Sequence, residues 1–305
     1  MSSRAPSARP DQDSSDPNGL DAPFEVLAPG EQVLPVVLAS PHSGCRYPQA
    51  FLDSARLSGL ALRKSEDTFV DEVFAQARTL GVPMIRALFP RAFLDLNREP
   101  FELDPEMFED ALPAYANTRS PRVQAGLGTI ARVVATGEEI YSRKLRFDEV
   151  LDRVNRYYHP YHAALKDLVE RTRRRFGWCV LLDCHSMPSA GAMSEGNGRP
   201  QMFDLVLGDC FGSACARAVT DTAEEVAAGF GYTVARNSPY AGGHTTRHYG
   251  RPRLGAHALQ IEINRSLYMD EARFTRKPHL STLADHMTAL VEAIGRLELK
   301  GAWRP

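Results

Sequence analysis

The chain has 305 residues, 43% of them hydrophobic and 24% charged, with a formal net charge of -2. This length holds one large domain or two small ones, and the near-neutral balance creates no overall basic field for nucleic acid or anionic membrane. No stretch approaches the roughly 20 apolar residues of a membrane-spanning helix, and the N-terminus lacks the apolar core of a secretory signal.

In chain order, residues 1–22 are rich in Ser, Pro, Asp and Arg and are expected to form a disordered tail. Residues 23–305 are expected to make up the one folded domain. Residues 33–39 (VLPVVLA) read as a buried strand running into Ser40-Pro41-His42-Ser43-Gly44. Ser65-Glu66-Asp67-Thr68 opens a helix with an apolar stripe at Val70, Val73, Phe74 and Ala77, ended by Gly81. Residues 99–128 are irregular. A long helix is expected over residues 150–176, broken near His159-Pro160. Its basic end, Arg171 to Arg175, reads as a solvated terminus favoured by the helix dipole.

Residues 179–184 (CVLLDC) form a second strand, followed by His185-Ser186-Met187-Pro188. Residues 187–204 and 236–255 read as loops, with a helix over 221–228 between them. A third strand covers residues 256–263 (AHALQIEI), stopping at Asn264-Arg265, and a last helix covers 281–297. Alternating strands and helices predict an α/β fold: a single domain with a mostly parallel central sheet flanked by helices. Long irregular loops in such a domain are expected to meet substrate. The five cysteines are odd in number and form no CxxC pair. That disfavours a disulfide framework and fits a reducing cytoplasm.

His42 and His185 both follow apolar strands, and in open α/β sheets ligands bind at the carboxyl ends of the strands. A pair of histidines there, with a carboxylate at the third strand, points to a metal site. A catalytic zinc takes about three protein ligands and keeps one position open. The third ligand is a carboxylate from Glu66, Asp67 or Asp183. Helical periodicity places Glu66 and Asp67 nearer the buried face than Asp71, and slightly prefers Glu66. Asp183 shares a strand face with His185, whereas Cys184 points away from it. This spacing argues against a Cys–His dyad, and no GxSxG elbow, GxGxxG or P-loop occurs.

Glu262 interrupts an apolar strand, where an unpaired carboxylate is costly. It is either a general base or the partner of Arg265 in a buried ion pair, and the base is favoured because buried ion pairs are weak stabilisers. Asp204 and Asp183 are the next carboxylates for that role. Arg98 and Arg247 lie in the candidate loops and suit bidentate binding of carboxylates.

These segments, in order, resemble the N-formylglutamate amidohydrolases. The matching pieces are Ser40-Pro41-His42-Ser43-Gly44, Asp67 with Val70, Asp95-Leu96-Asn97-Arg98, and Gly126-Leu127-Gly128 leading to Gly137-Glu138. They continue through His185-Ser186, Asp204 with Gly208, Gly242-Gly243 with Arg247-His248-Tyr249-Gly250, and Gln260-Ile261-Glu262 with Tyr268-Met269. The resemblance implies a fold similar to zinc carboxypeptidases, phosphorylase/hydrolase-like enzymes and cell-wall zinc amidases. It implies one zinc ion on His42, His185 and Asp67, and Glu262 as base. Asn97, Arg98, Arg247 and Ser43 become the substrate contacts. It further implies a small-molecule substrate, N-formyl-L-glutamate or another N-acyl acidic amino acid, in the last step of one route of histidine degradation. The rival readings are an aspartoacylase-like deacylase, a cell-wall amidase, for which an export signal is expected, and a non-enzymatic dicarboxylate-binding protein.

Overall fold

The computed structural model describes residues 20, 22–196 and 199–299. Seven strands build the central sheet: β1 Phe24–Leu27, β2 Val36–Ser40, β3 Met84–Ala87, β4 Cys179–Met187, β5 Leu205–Gly208, β6 Val234–Arg236 and β7 Ala256–Asn264. They lie in the order β1-β3-β2-β4-β7-β5-β6. The inner strands β3, β2, β4 and β7 run parallel. β1 and β5 run antiparallel to their neighbours β3 and β7, and β6 is parallel to β5. The expected α/β domain with a mostly parallel sheet is therefore present, and its three expected strands are the adjacent central ones.

Those strands are buried along their whole length, and apolar up to their carboxyl ends, because both sheet faces are covered. Val37, Leu181 and Ala258 face a cluster that includes Tyr161 and Leu165 of the His159–Phe176 helix. Val36, Leu38, Val180, Leu182, Leu259 and Ile261 face the helices Arg217–Gly229 and His279–Gly295. Each boundary differs from the expectation by only a few residues, except that β4 continues through His185 to Met187. His185 thus sits on the strand rather than in the turn after it.

The helix expected to open at Ser65–Thr68 and end at Gly81 begins only at Val70, after Phe69 with φ 67°, as one α-turn, Val70–Val73, continued as a 3-10 segment, Ala75–Leu80. The long helix is not broken at His159-Pro160. A π-turn, Val154–Tyr158, joins Phe147–Arg153 to His159–Phe176, and the His159 N–H reaches back five residues to Val154 O. The wider turn accommodates a proline that has no N–H to donate. The loop over 187–204 contains a hairpin, Met193–Gly196 with Arg199–Met202, and the loop over 236–255 contains the helix His244–Tyr249. Of the expected tail, only residues 20 and 22 fall within the described residues. Leu20 packs into the core, and its N–H donates to Tyr157 Oη at 3.1 Å. Among the described residues no helix is long and apolar enough to cross a membrane.

Register aligns the chemistry. Ala39 pairs with Asp183, Asp183 with Gln260, and His185 with Glu262. Period-two alternation puts Asp183, His185, Gln260 and Glu262 on one face at the carboxyl end of the parallel strands.

Candidate active site

His42, Asp67 and His185 meet at this edge. All three are buried, and one potential ligand atom from each lies within 4.8 Å of the other two. Asp67 Oδ2 is 2.9 Å from His185 Nδ1 and 3.3 Å from His42 Nδ1. Its other oxygen, Oδ1, accepts from Arg265 Nη2 at 3.1 Å and Ser186 Oγ at 3.2 Å. Burial alone would raise the Asp67 carboxyl, but the His185 hydrogen bond and the adjacent His42 imidazole outweigh it and hold it well below the usual carboxylate range.

The far nitrogen of each ring is held by a second carboxylate. His42 Nε2 bonds Asp95 Oδ1 at 2.8 Å, and His185 Nε2 lies 3.0 Å from Asp183 Oδ1. A carboxylate behind each imidazole fixes the tautomer that leaves Nδ1 free to ligate. His42 Nδ1 is buried without a hydrogen-bond partner, an arrangement that costs free energy unless the nitrogen has another role. An anionic carboxylate, two imidazoles held by their far sides and one orphaned ring nitrogen fit a divalent cation of the zinc type.

The competing ligand Glu66 is turned elsewhere. Its oxygens accept from Tyr47 Oη at 2.6 Å, Arg63 Nε at 3.1 Å and Thr68 Oγ1 at 3.0 Å. Asp71, expected to lie less deep, is also buried and pairs with Arg86 at 2.7 Å. Glu262 is not the partner of Arg265. Arg265 belongs to Asp67, while Glu262 Oε1 accepts from Gln260 Nε2 at 2.8 Å. Burial pushes the Glu262 carboxyl up to about 7, aided by the negative charges of Asp67 and Asp183. Asp204 lies away from this centre and accepts from Thr233 N and Oγ1 at 2.8 Å each.

A cavity of ≈ 480 Å³ opens onto His42, His185 and Glu262 and is lined also by Asn97 and Arg98. Asn97 ties three segments together. Its Nδ2 lies 3.1 Å from His185 Nε2 and 3.3 Å from Asp183 Oδ2, and its Oδ1 accepts from Thr245 N at 2.8 Å. Gly243 has no Cβ because one there would collide with the Asn97 amide. Behind this segment, Tyr158 Oη donates to Arg98 O at 2.7 Å and His162 Nε2 donates to Leu96 O at 2.9 Å. Burial lowers His162 to about 3, so it stays neutral in that contact.

Two expected substrate contacts do not line the cavity. Ser43 is buried with its hydroxyl against that of Ser40. Arg247 is exposed, because Thr245, Thr246 and Tyr249 take the buried side of its short helix. Three arginines do line it without having been singled out as substrate contacts: Arg91, Arg122 and Arg265. Asp95 carries only a motif position in the sequence; its ion pair with Arg91 at 2.6 Å is four residues away, but its contact with His42 spans 53 residues and is long-range information.

The family model for N-formylglutamate amidohydrolases matches residues 34–269. The chain belongs to that family. An N-formylglutamate deformylase of Pseudomonas putida is 29% identical over 266 residues, covering 84% of this chain and 90% of that protein. A deformylase of the same name from Pseudomonas aeruginosa is 27% identical over 259 residues, covering 81% and 86%. The crystal structure of an N-formylglutamate amidohydrolase from Ralstonia eutropha superposes with a TM-score of 0.82 at 38% identity, covering 90% of this chain and 97% of that one.

Proposed function

We propose that this amidohydrolase-family protein removes the formyl group from N-formyl-L-glutamate, using one zinc ion held by His42, Asp67 and His185. The observation that carries the reading is the convergence of two imidazole Nδ1 atoms on Asp67, beside the buried Glu262 carboxylate in register with His185. When bound, zinc supplies an electrophile for the formyl oxygen and acidifies water. Glu262 takes a proton from the attacking water and returns it to the amine nitrogen as the C–N bond breaks. Formate and L-glutamate leave, with atoms and charge balanced. Asn97 braces His185 and Asp183, and Arg98 offers a buried cation to a substrate carboxylate.

The test is a panel of N-formyl, N-acetyl and N-succinyl amino acids with zinc-loaded protein. N-formyl-L-glutamate is expected to give the highest kcat/KM, and chelation to remove it. Equal turnover of formyl-glutamate and formyl-leucine, or full activity in metal-free protein, contradicts the reading.

Bracing by Asn97 makes its own prediction. Gly243→Ala forces the Asn97 amide aside, withdrawing it from Asp183 and Thr245. Displacement of catalytic geometry by about 1 Å costs on the order of 10²-fold. The expected result is a kcat drop of about that size at unchanged zinc content. Unaltered kcat in that variant shows that the bracing is dispensable.

A further inference from the structure

The cavity wall carries more guanidinium groups than its acids neutralise. Arg91 is paired to Asp95 and Arg265 to Asp67. Arg98 gives Nε to Leu127 O at 2.9 Å and Nη1 to Asn97 O at 2.7 Å. Arg122 lines the same cavity, is exposed, and among the described residues its guanidinium has no hydrogen-bond or ion-pair partner. Its backbone, by contrast, is anchored. Arg122 sits on the short helix Pro121–Gln124, capped by Ser120 Oγ accepting from Val123 N at 3.0 Å. Leu127 N donates to Arg122 O at 2.8 Å, while Leu127 O accepts from Arg98. One backbone unit therefore couples the two arginines.

We propose that Arg122 binds the side-chain carboxylate of the acyl amino acid and sets the preference for acidic over neutral substrates. This inference rests on the proposed deformylase reading. The assignment follows from chain length in the substrate. The α-carboxylate lies close to the scissile amide, and Arg98, adjacent to Asn97 at the histidines, lies at the inner position. The side-chain carboxylate extends further from the amide, and Arg122 offers an unengaged cation on the outer wall. The site is also poised for an anion. Burial lowers the pKa of Arg98, and the nearby charges of Arg91 and Arg122 add to the effect against the opposing pull of Asp95. A second carboxylate relieves that crowding of like charge. A planar guanidinium with free donors binds it in a charge-assisted, bidentate manner.

The experiment compares wild type, Arg122→Gln and Arg122→Lys in zinc-loaded protein. The ratio of kcat/KM for N-formyl-L-glutamate over N-formyl-L-glutamine is expected to fall about 10- to 100-fold in Arg122→Gln, the usual worth of a charge-assisted contact. Arg122→Lys should recover part of it, and Tm should hold in both. Calorimetric binding of L-glutamate against L-glutamine supplies a readout independent of turnover. If wild type binds L-glutamate selectively and Arg122→Gln does not, the inference stands even where no formate is released, and only the deformylase reading fails. A ratio that changes less than about twofold, an equal loss on both substrates, or absence of selective glutamate binding by wild type overturns it.

Discussion

Asp67→Asn is expected to strip zinc and activity together, whereas Glu66→Gln, one residue away, keeps both. Asp67 places one oxygen against two imidazoles and gives the other to Arg265 and Ser186. The amide keeps the volume and loses the charge, so the third ligand of a three-ligand site weakens. Zinc per chain should drop below about one tenth in dilute protein, and kcat/KM by at least about 10³-fold, since the electrophile leaves with the metal. The Arg265 guanidinium then faces a neutral amide in a buried setting, so Tm should also fall. Glu66→Gln disturbs a structural cluster of Tyr47, Arg63 and Thr68, worth about 1–3 kcal/mol, without touching the histidines. Metal analysis and melting curves on the two variants separate these roles. Full zinc occupancy in Asp67→Asn with loss in Glu66→Gln moves the ligand by one residue.

That contrast also marks how far local pattern reaches. Buried parallel strands have runs of apolar residues, so β2, β4 and β7 are legible from residues 33–39, 179–184 and 256–263. β1, β3, β5 and β6 are three or four residues long, too short to establish a period. The alternation that places Asp183 with His185 is a property of one strand and is readable there. Choosing Asp67 over Glu66 is not, because periodicity near a helix start cannot see Tyr47 and Arg63 taking the Glu66 oxygens. For the same reason the ring partner of His42, Asp95, lies 53 residues away with no local mark beyond its motif. Arg247 loses its expected role, and Arg122, to which the sequence assigns none, lines the cavity, both through helix orientation. Both lie near glycine-containing turns, but Thr245 and Thr246 fill the inward side of one helix, while Arg122 reaches the cavity from the other.

Glu262→Gln should leave zinc binding and Tm nearly intact while turnover falls about 10²–10⁴-fold, the usual worth of general acid–base catalysis. The side chain is buried and pairs in register with His185, and its hydrogen bond comes from Gln260 rather than from an arginine. No ion pair is therefore broken by the amide, which removes the main route to large destabilisation. Only the ionised carboxylate can accept a proton from water. Activity must accordingly be lost as pH falls through the Glu262 pKa, which burial sets at about 7. A bound cation favours the carboxylate, so the acid limb of kcat/KM should lie at or below that value. In Glu262→Gln the residual rate should lose this limb. A structural role predicts the opposite pair of results: a lowered Tm, and a pH profile unchanged in shape for the protein that remains folded. An acid limb that survives the substitution assigns the proton transfer to another group, and Asp183 behind His185 and Asp95 behind His42 are the carboxylates left beside the histidines.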